Sequence, residues 1–184
     1  MEVEHFRCKA DFPELVVVWD NLIPSCKRCN GRKGSYNVEI DGMIANPYDV
    51  DPTNHFYFQN YRLRWRDDVG RNSISALYLN DTERMVAVRM EIGETICRSL
   101  EIIREQLEEF LIGNRNVRAR NRITRGIEII LRECRPAAQF SALASTIVIS
   151  EPNYLWIRES LQALNLWEDL APLDAKASEL ALLP

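Results

Sequence analysis

Glu4-His5, Asn21-Leu22 and the run Cys26-x-x-Cys29-Asn30-x-x-Lys33 are the residues of this chain whose types and spacing could do chemistry. Histidine is the side chain best suited to take a proton near neutral pH, and a hydrolytic or phosphoryl-transfer metal site needs oxygen ligands beside such a base. Glu4 and His5 supply both in adjacent positions. The two cysteines stand three apart in a basic loop, NLIPSCKRCNGRKG, with an amide residue directly behind the second. That spacing suits a metal knuckle, and it equally suits cysteines that simply fill a core. Each residue has an ordinary reading when taken alone: His5 as a solvated side chain, Asn21 as a turn residue, His55 as a packing or capping group. Only the joint pattern, an acidic-His pair, then Asn-Leu, then C-x-x-C-N-x-x-K, favours a site.

The elements that must position these residues divide the chain unevenly. Residues 1–60 are irregular and rich in Pro, Asn, Asp and Gly, and they hold both histidines and the cysteine pair. From about residue 73 the pattern becomes helical. Asn80 is placed to cap a helix with Glu83 three residues on. Met85, Val88, Ile92, Ile96, Leu100, Ile103, Leu107 and Phe110 then recur at spacings of three and four until Gly113-Asn114. A second helix is expected over about 116–134, with Val117, Ile123, Ile127, Ile130, Leu131 and Cys134 on its apolar side. Its polar side carries Arg118, Arg120, Arg122 and Arg125, preceded by Arg115. These read as a solvated face ion-paired to the acidic helix before it, or as a docking surface. The stretch FSALASTIVIS mixes an Ala-rich start with a β-branched end and is read as a helix. Pro152 opens a further helix with Tyr154, Ile157, Leu161 and Leu164 on one face, and the acidic tail after Trp167 is expected to pack loosely.

Composition narrows the function classes. A chain of 184 residues, 46% hydrophobic, can bury one sizeable core with a modest second unit. A net charge of -4 argues against nucleic-acid binding driven by bulk charge, so any such binding must be local or shared with a partner. Five cysteines at irregular spacing fit a reducing compartment better than a disulfide framework. No apolar run is long enough to span a membrane, and MEVEHFRCK lacks the pattern of a secretory signal, so the expected location is the cytoplasm.

The pattern [DE]-H, N-L, C-x-x-C-[HN]-x-x-K resembles the HNH endonucleases. The longer runs EHFRCKADFPELVVVWDNLIPSCKRCNGRKG, IANPYDVDPTNHF and LYLNDTERMVAVR resemble one subfamily of them, the nuclease subunit of Septu-type anti-phage systems and related retron effectors. The resemblance implies an α+β, mostly helical fold: a ββα-metal finger over residues 1–60, packed on a helical scaffold and partner-docking region over 61–184. It implies a metal-dependent endonuclease that hydrolyses phosphodiester bonds of DNA, with RNA as the alternative polymer. In that reading His5 is the general base, Asn21 ties the hairpin and orients the His ring, and Asn30 with Glu4 ligates Mg²⁺ or Mn²⁺. Lys27, Arg28, Arg32 and Lys33 would grip phosphates. An ABC/SMC-like ATPase is the implied partner, and no membrane is involved. Many relatives carry a further C-x-x-C upstream that closes a Cys₄ zinc site; only three residues precede Glu4 here. A structural Zn²⁺ on Cys26 and Cys29 would therefore need His55, with Asp49, Asp51 or Cys8, to complete it. The reading from another class is a non-catalytic zinc-knuckle module that binds nucleic acid or a partner.

Overall fold

The computed structural model describes residues 1–113 and 116–184; Asn114 and Arg115, named above as a helix stop and as part of the basic face, lie outside the described residues. The elements run β1 (Glu2–His5), β2 (Leu22–Ser25), α1 (Lys27–Lys33), α2 (Pro52–His55), β3 (Phe56–Gln59), β4 (Arg62–Trp65), α3 (Asp68–Leu77), α4 (Ala87–Ile112), α5 (Val117–Glu133), α6 (Ser141–Ser150), α7 (Pro152–Ala163) and α8 (Ala171–Leu180). The class is α+β and mostly helical, as expected, with two small antiparallel hairpins, β1-β2 and β3-β4. The chain divides into two compact units, Met1–Met85 and Val86–Pro184.

In the first unit, β1 and β2 pair with Glu4 opposite Ile23 and His5 opposite Leu22. The loop between them is shaped by 3-10 turns at Pro13–Leu15 and Trp19–Asn21. Helix α1 starts directly after β2, capped by the Cys26 side chain, and stops at Gly34, whose φ of 49° is a left-handed conformation that favours glycine. The second hairpin turns through Asn60 and Tyr61, both at positive φ. Two positive-φ residues give the turn that matches strand twist, and a tyrosine there carries none of the usual Asn-Gly signal.

The expected boundary near residue 60 falls inside this unit, because the chain beyond it folds back on what precedes it. Ser73 Oγ accepts from Ala45 N at 2.8 Å, Asn72 Nδ2 donates to the Met43 carbonyl at 3.2 Å, and α3 approaches so closely that a Cβ on Gly70 would lie 2.2 Å from the His55 carbonyl oxygen. Asn80 is part of the same closure. Rather than capping the long helix, its side chain accepts from Leu63 N at 2.9 Å and donates to the Leu63 carbonyl at 2.8 Å, pinning β4. The residue after it does the capping: Asp81 Oδ1 accepts from Arg84 N at 2.9 Å, ahead of the π-type turn Thr82–Val86 that leads into α4.

In the second unit, α4 buries Ile96, Leu100, Ile103, Leu107 and Phe110, the three-and-four spacing of a core-facing stripe. Helix α5, capped by Asn116 through Ala119 N, buries Ile123, Ile127, Ile130 and Leu131. Helix α6 packs against α4, α5, α7 and α8 and is buried at Leu143, Ala144, Ser145, Thr146 and Val148. Burial on several sides is what makes its β-branched end helical despite intrinsic preference. The tail is not loosely packed. Trp167, Leu170, Ala177, Ala181 and Leu182 are buried, Leu182 N donates to Thr146 Oγ1 at 2.8 Å, and Tyr154 OH donates to Asp174 Oδ1 at 2.6 Å. Small Ala177 lets α8 approach closely, and its apolar pattern is too sparse to stand out among the acidic residues. Among the described residues no ion pair joins α5 to α4; Arg132 pairs with Glu128 and Arg104 with Glu108, each within its own helix. Among the described residues no helix is long and apolar enough to cross a membrane.

Candidate active site

Side chains alternate along a strand, so Glu2 and Glu4 share one face of β1, and residues one helical turn apart share one face of α1. Asn30 and Lys33 meet that strand. Asn30 Nδ2 donates to Glu2 Oε2 at 2.9 Å, while Lys33 Nζ donates to Glu4 Oε1 at 3.1 Å and to the His5 carbonyl at 2.6 Å. Glu4 is buried, and its Oε1 also accepts from His5 N at 3.0 Å. Its other oxygen, Oε2, is buried with no partner. An unpaired buried carboxylate oxygen is costly, so it marks a place where a cation would be favoured. The Glu2 bond engages the Asn30 amide nitrogen and leaves its oxygen as the end able to ligate a hard ion. Glu2 was not singled out in the sequence; the signal was the i, i+2 pair Glu2-x-Glu4 on one strand face.

The His5 ring sits at the end of β1, half-exposed, with Nε2 3.1 Å from the Val16 carbonyl. A carbonyl only accepts, so this bond puts the hydrogen on Nε2 and the free lone pair on Nδ1. Asn21 is buried: its Oδ1 accepts from Arg7 N at 2.7 Å and its Nδ2 donates to the carbonyls of Arg7 at 3.1 Å and Leu15 at 3.2 Å. It ties the hairpin loop together. The ring itself is held by Val16, not by Asn21, so the orienting role given to Asn21 is indirect, through the loop that carries Val16.

The four basic residues expected to grip phosphates are placed differently from one another. Lys27 is exposed. Arg28 Nη2 lies 2.6 Å from Asp81 Oδ2, and the Arg32 guanidinium stands 4.3 Å over the Tyr78 ring. Lys33, with its ammonium bonded to Glu4 and His5, is buried and is a structural clamp rather than a phosphate contact. A lysine in a basic run looks like a surface cation until the strand opposite it is known.

Cys26 is exposed and accepts from Cys29 N at 3.3 Å; that donated N–H draws its thiol below the ordinary range. Burial, and then the Cys26 side chain, push the Cys29 thiol up to about 11. His55 is not grouped with them: its Nδ1 lies 2.7 Å from Asp67 Oδ2. Asp51 caps α2 through Thr53, and Cys8 Sγ donates to Asp11 Oδ2 at 3.2 Å. Among the described residues no three His, Cys, Asp or Glu side chains are grouped to hold a metal, so the donor set around Cys26 and Cys29 falls short of a tetrahedral zinc site. The thiol pair has its own expected behaviour. Iodoacetamide should modify Cys26 before Cys29 near neutral pH, with Cys29 reacting only as the pH approaches its raised value, a sequence that peptide mapping by mass spectrometry would follow. Glu4, Cys26, Cys29 and Lys33, with Phe6 and Ile44, line a cavity of ≈ 260 Å³.

Over 168 residues the chain is 36% identical to the Septu protein PtuB of Bacillus thuringiensis; the match covers 91% of this chain and 65% of that relative, so the chain spans just under two thirds of the relative's length. No family model matches the chain, and no solved structure matches it.

Proposed function

We propose that the chain, which is similar over 91% of its length to a Septu protein PtuB, is the nuclease subunit of an anti-phage defence complex, a metal-dependent HNH endonuclease that hydrolyses phosphodiester bonds of DNA. One observation carries the reading. Glu4, next in the chain to His5 in the strand-strand-helix segment that bears the motif, is a buried carboxylate whose Oε2 has no partner. His5 takes a proton from the attacking water at Nδ1, and the Val16 carbonyl steadies the positive ring that results. Lys33 fixes the Glu4 carboxylate through Oε1, and Glu2 fixes the Asn30 amide through its nitrogen.

The oxygen left over on each, Glu4 Oε2 and the Asn30 carbonyl oxygen, would hold Mg²⁺ or Mn²⁺, leaving room for water and phosphate oxygens as such ions prefer. When bound, the ion supplies charge neutralisation at the phosphate and the departing 3′ oxygen. Asn21 keeps the loop in the shape that presents Val16 to the ring. Lys27 and Arg32 are exposed cations of α1 that could meet phosphates, and contacts of that kind carry no base sequence, so target choice would fall to a partner. The family resemblance suggests an ABC/SMC-like ATPase in that role. The helical unit offers a surface for it: Arg118, Arg122 and Arg125 recur along one side of α5 with Ile129, which is 55% exposed.

The test is incubation of the full chain with supercoiled plasmid, and in parallel with total RNA, in Mg²⁺, Mn²⁺ or EDTA. Nicked and linear plasmid in the two metals and none in EDTA is the expected result. Cleavage of RNA alone would move the same site to the RNase reading. No metal-dependent cleavage of either polymer would leave only a binding module.

A further inference from the structure

Along one side of the second unit, α4 and α5 border a groove that faces solvent. The helices run antiparallel, and their levels are fixed. Glu109 and Phe110 of α4 line a cavity of ≈ 190 Å³ with Ala119 and Arg122 of α5, while Ser99 and Ile102 line one of ≈ 320 Å³ with Gly126 and Ile129. Gly126 sets the approach, since a Cβ there would lie 3.0 Å from Ile103 Cδ1. Two large apolar side chains stand out on this face, Ile102 at 49% exposure and Ile129 at 55%. The charges beside them are sorted by helix. Ile102, Glu105 and Glu109 follow one another at i, i+3 and i+7 on α4, and Arg122, Arg125 and Ile129 do so on α5, so each trio shares one side of its helix. The four charged residues are exposed, and among the described residues none of them is in an ion pair.

We propose that two copies of this chain pair through the α4-α5 face, related by a two-fold axis parallel to the helices. Rotation about that axis preserves the level of every residue and lays α4 of one copy over α5 of the other. Ile129 then meets the partner's Ile102, Arg125 the partner's Glu105, and Arg122 the partner's Glu109, and symmetry repeats each contact. Charge selects the occupant. The acidic row matches the basic row level for level on the same surface, so the face is its own complement, and the exposed isoleucines fall opposite each other between the two sets of charges. Exposed ion pairs contribute little singly, so burial of the four isoleucines supplies much of the affinity while the charges fix the register. A face two helices wide and about 25 Å long is at the small end of stable interfaces, so the dimer should dissociate in the micromolar range. The inference goes beyond the nuclease reading and does not depend on it.

The test is sedimentation velocity of the full chain over about 1–100 µM, where wild type should show a monomer-dimer equilibrium that weakens as salt is raised. One variant, Arg122→Glu with Arg125→Glu, makes both rows acidic; a second, Glu105→Arg with Glu109→Arg, makes both basic. Each alone should self-associate at least about ten-fold more weakly than wild type, through like-charge repulsion. Mixed in equal amounts, the two should form one-to-one dimers, because every row then meets its opposite, a result that misfolded variants could not give. Wild type that stays monomeric across the range overturns the proposal and leaves the arginine row to an acidic subunit of another kind. A dimer that ignores the substitutions, or a mixture that associates no better than its components, overturns it as well.

Discussion

Replacing His5 with alanine is expected to lower cleavage by about 10²–10⁴-fold, the contribution typical of a positioned general base, while leaving the fold in place. The ring is held by a hydrogen bond to the Val16 carbonyl and stands at the end of a strand rather than in the core. Its removal should therefore cost no more than about 0.5–1.5 kcal/mol of stability. Single-turnover cleavage of a labelled substrate, alongside a urea unfolding curve, separates the two effects. His5→Gln sharpens the result, since an amide can still donate to Val16 but cannot accept a proton at neutral pH; it should be as inactive as alanine. Either variant cleaving within a few-fold of wild type would show that the ring is not the base.

The residues that frame this expectation were readable in the sequence because motif order reports residue type, and His5, Asn21 and Asn30 lie in one hairpin-helix segment. Their partners were not readable. Glu2 and Lys33 act through contacts between residues 28 and 29 positions apart, and nothing local marks a lysine that follows an arginine in a basic run as buried. Asn80 shows the same limit from the other side: it had a good capping position, but a bond pair to Leu63 claimed it and the next residue took the cap. The long helices were legible because their apolar period is sustained. The β3-β4 hairpin and α8 were not, since one turns on a tyrosine and the other packs through small alanines.

Lys33→Met is expected to destabilise the first unit by about 3–5 kcal/mol, because it strands a buried carboxylate that keeps its charge without its partner. Against a total stability of about 5–15 kcal/mol, that is enough to unfold part of the population. The His5 carbonyl loses its 2.6 Å donor at the same time, so the end of β1 should loosen and cleavage should fall with stability. The double replacement Glu4→Gln with Lys33→Met removes both charges and should recover much of the stability without recovering cleavage. Urea unfolding of the two single variants and the double gives the coupling energy directly. A Lys33→Met protein as stable as wild type would mean that this pair is solvated in solution.

The bonds that fix His5, Glu4 and Asn30 in place all lie between residues 2 and 33, a span that leaves the ribosome well before the helical unit is synthesised. Short chain closures of this kind form early and cheaply, and N-terminal segments fold first during translation. On the proposed nuclease reading, a cell making this protein would thus hold nascent chains whose candidate site is assembled while α4 to α8 are still being polymerised. Any restraint that acts through those helices arrives late, which favours slow translation, low expression or a delayed metal-loading step as the first safeguard.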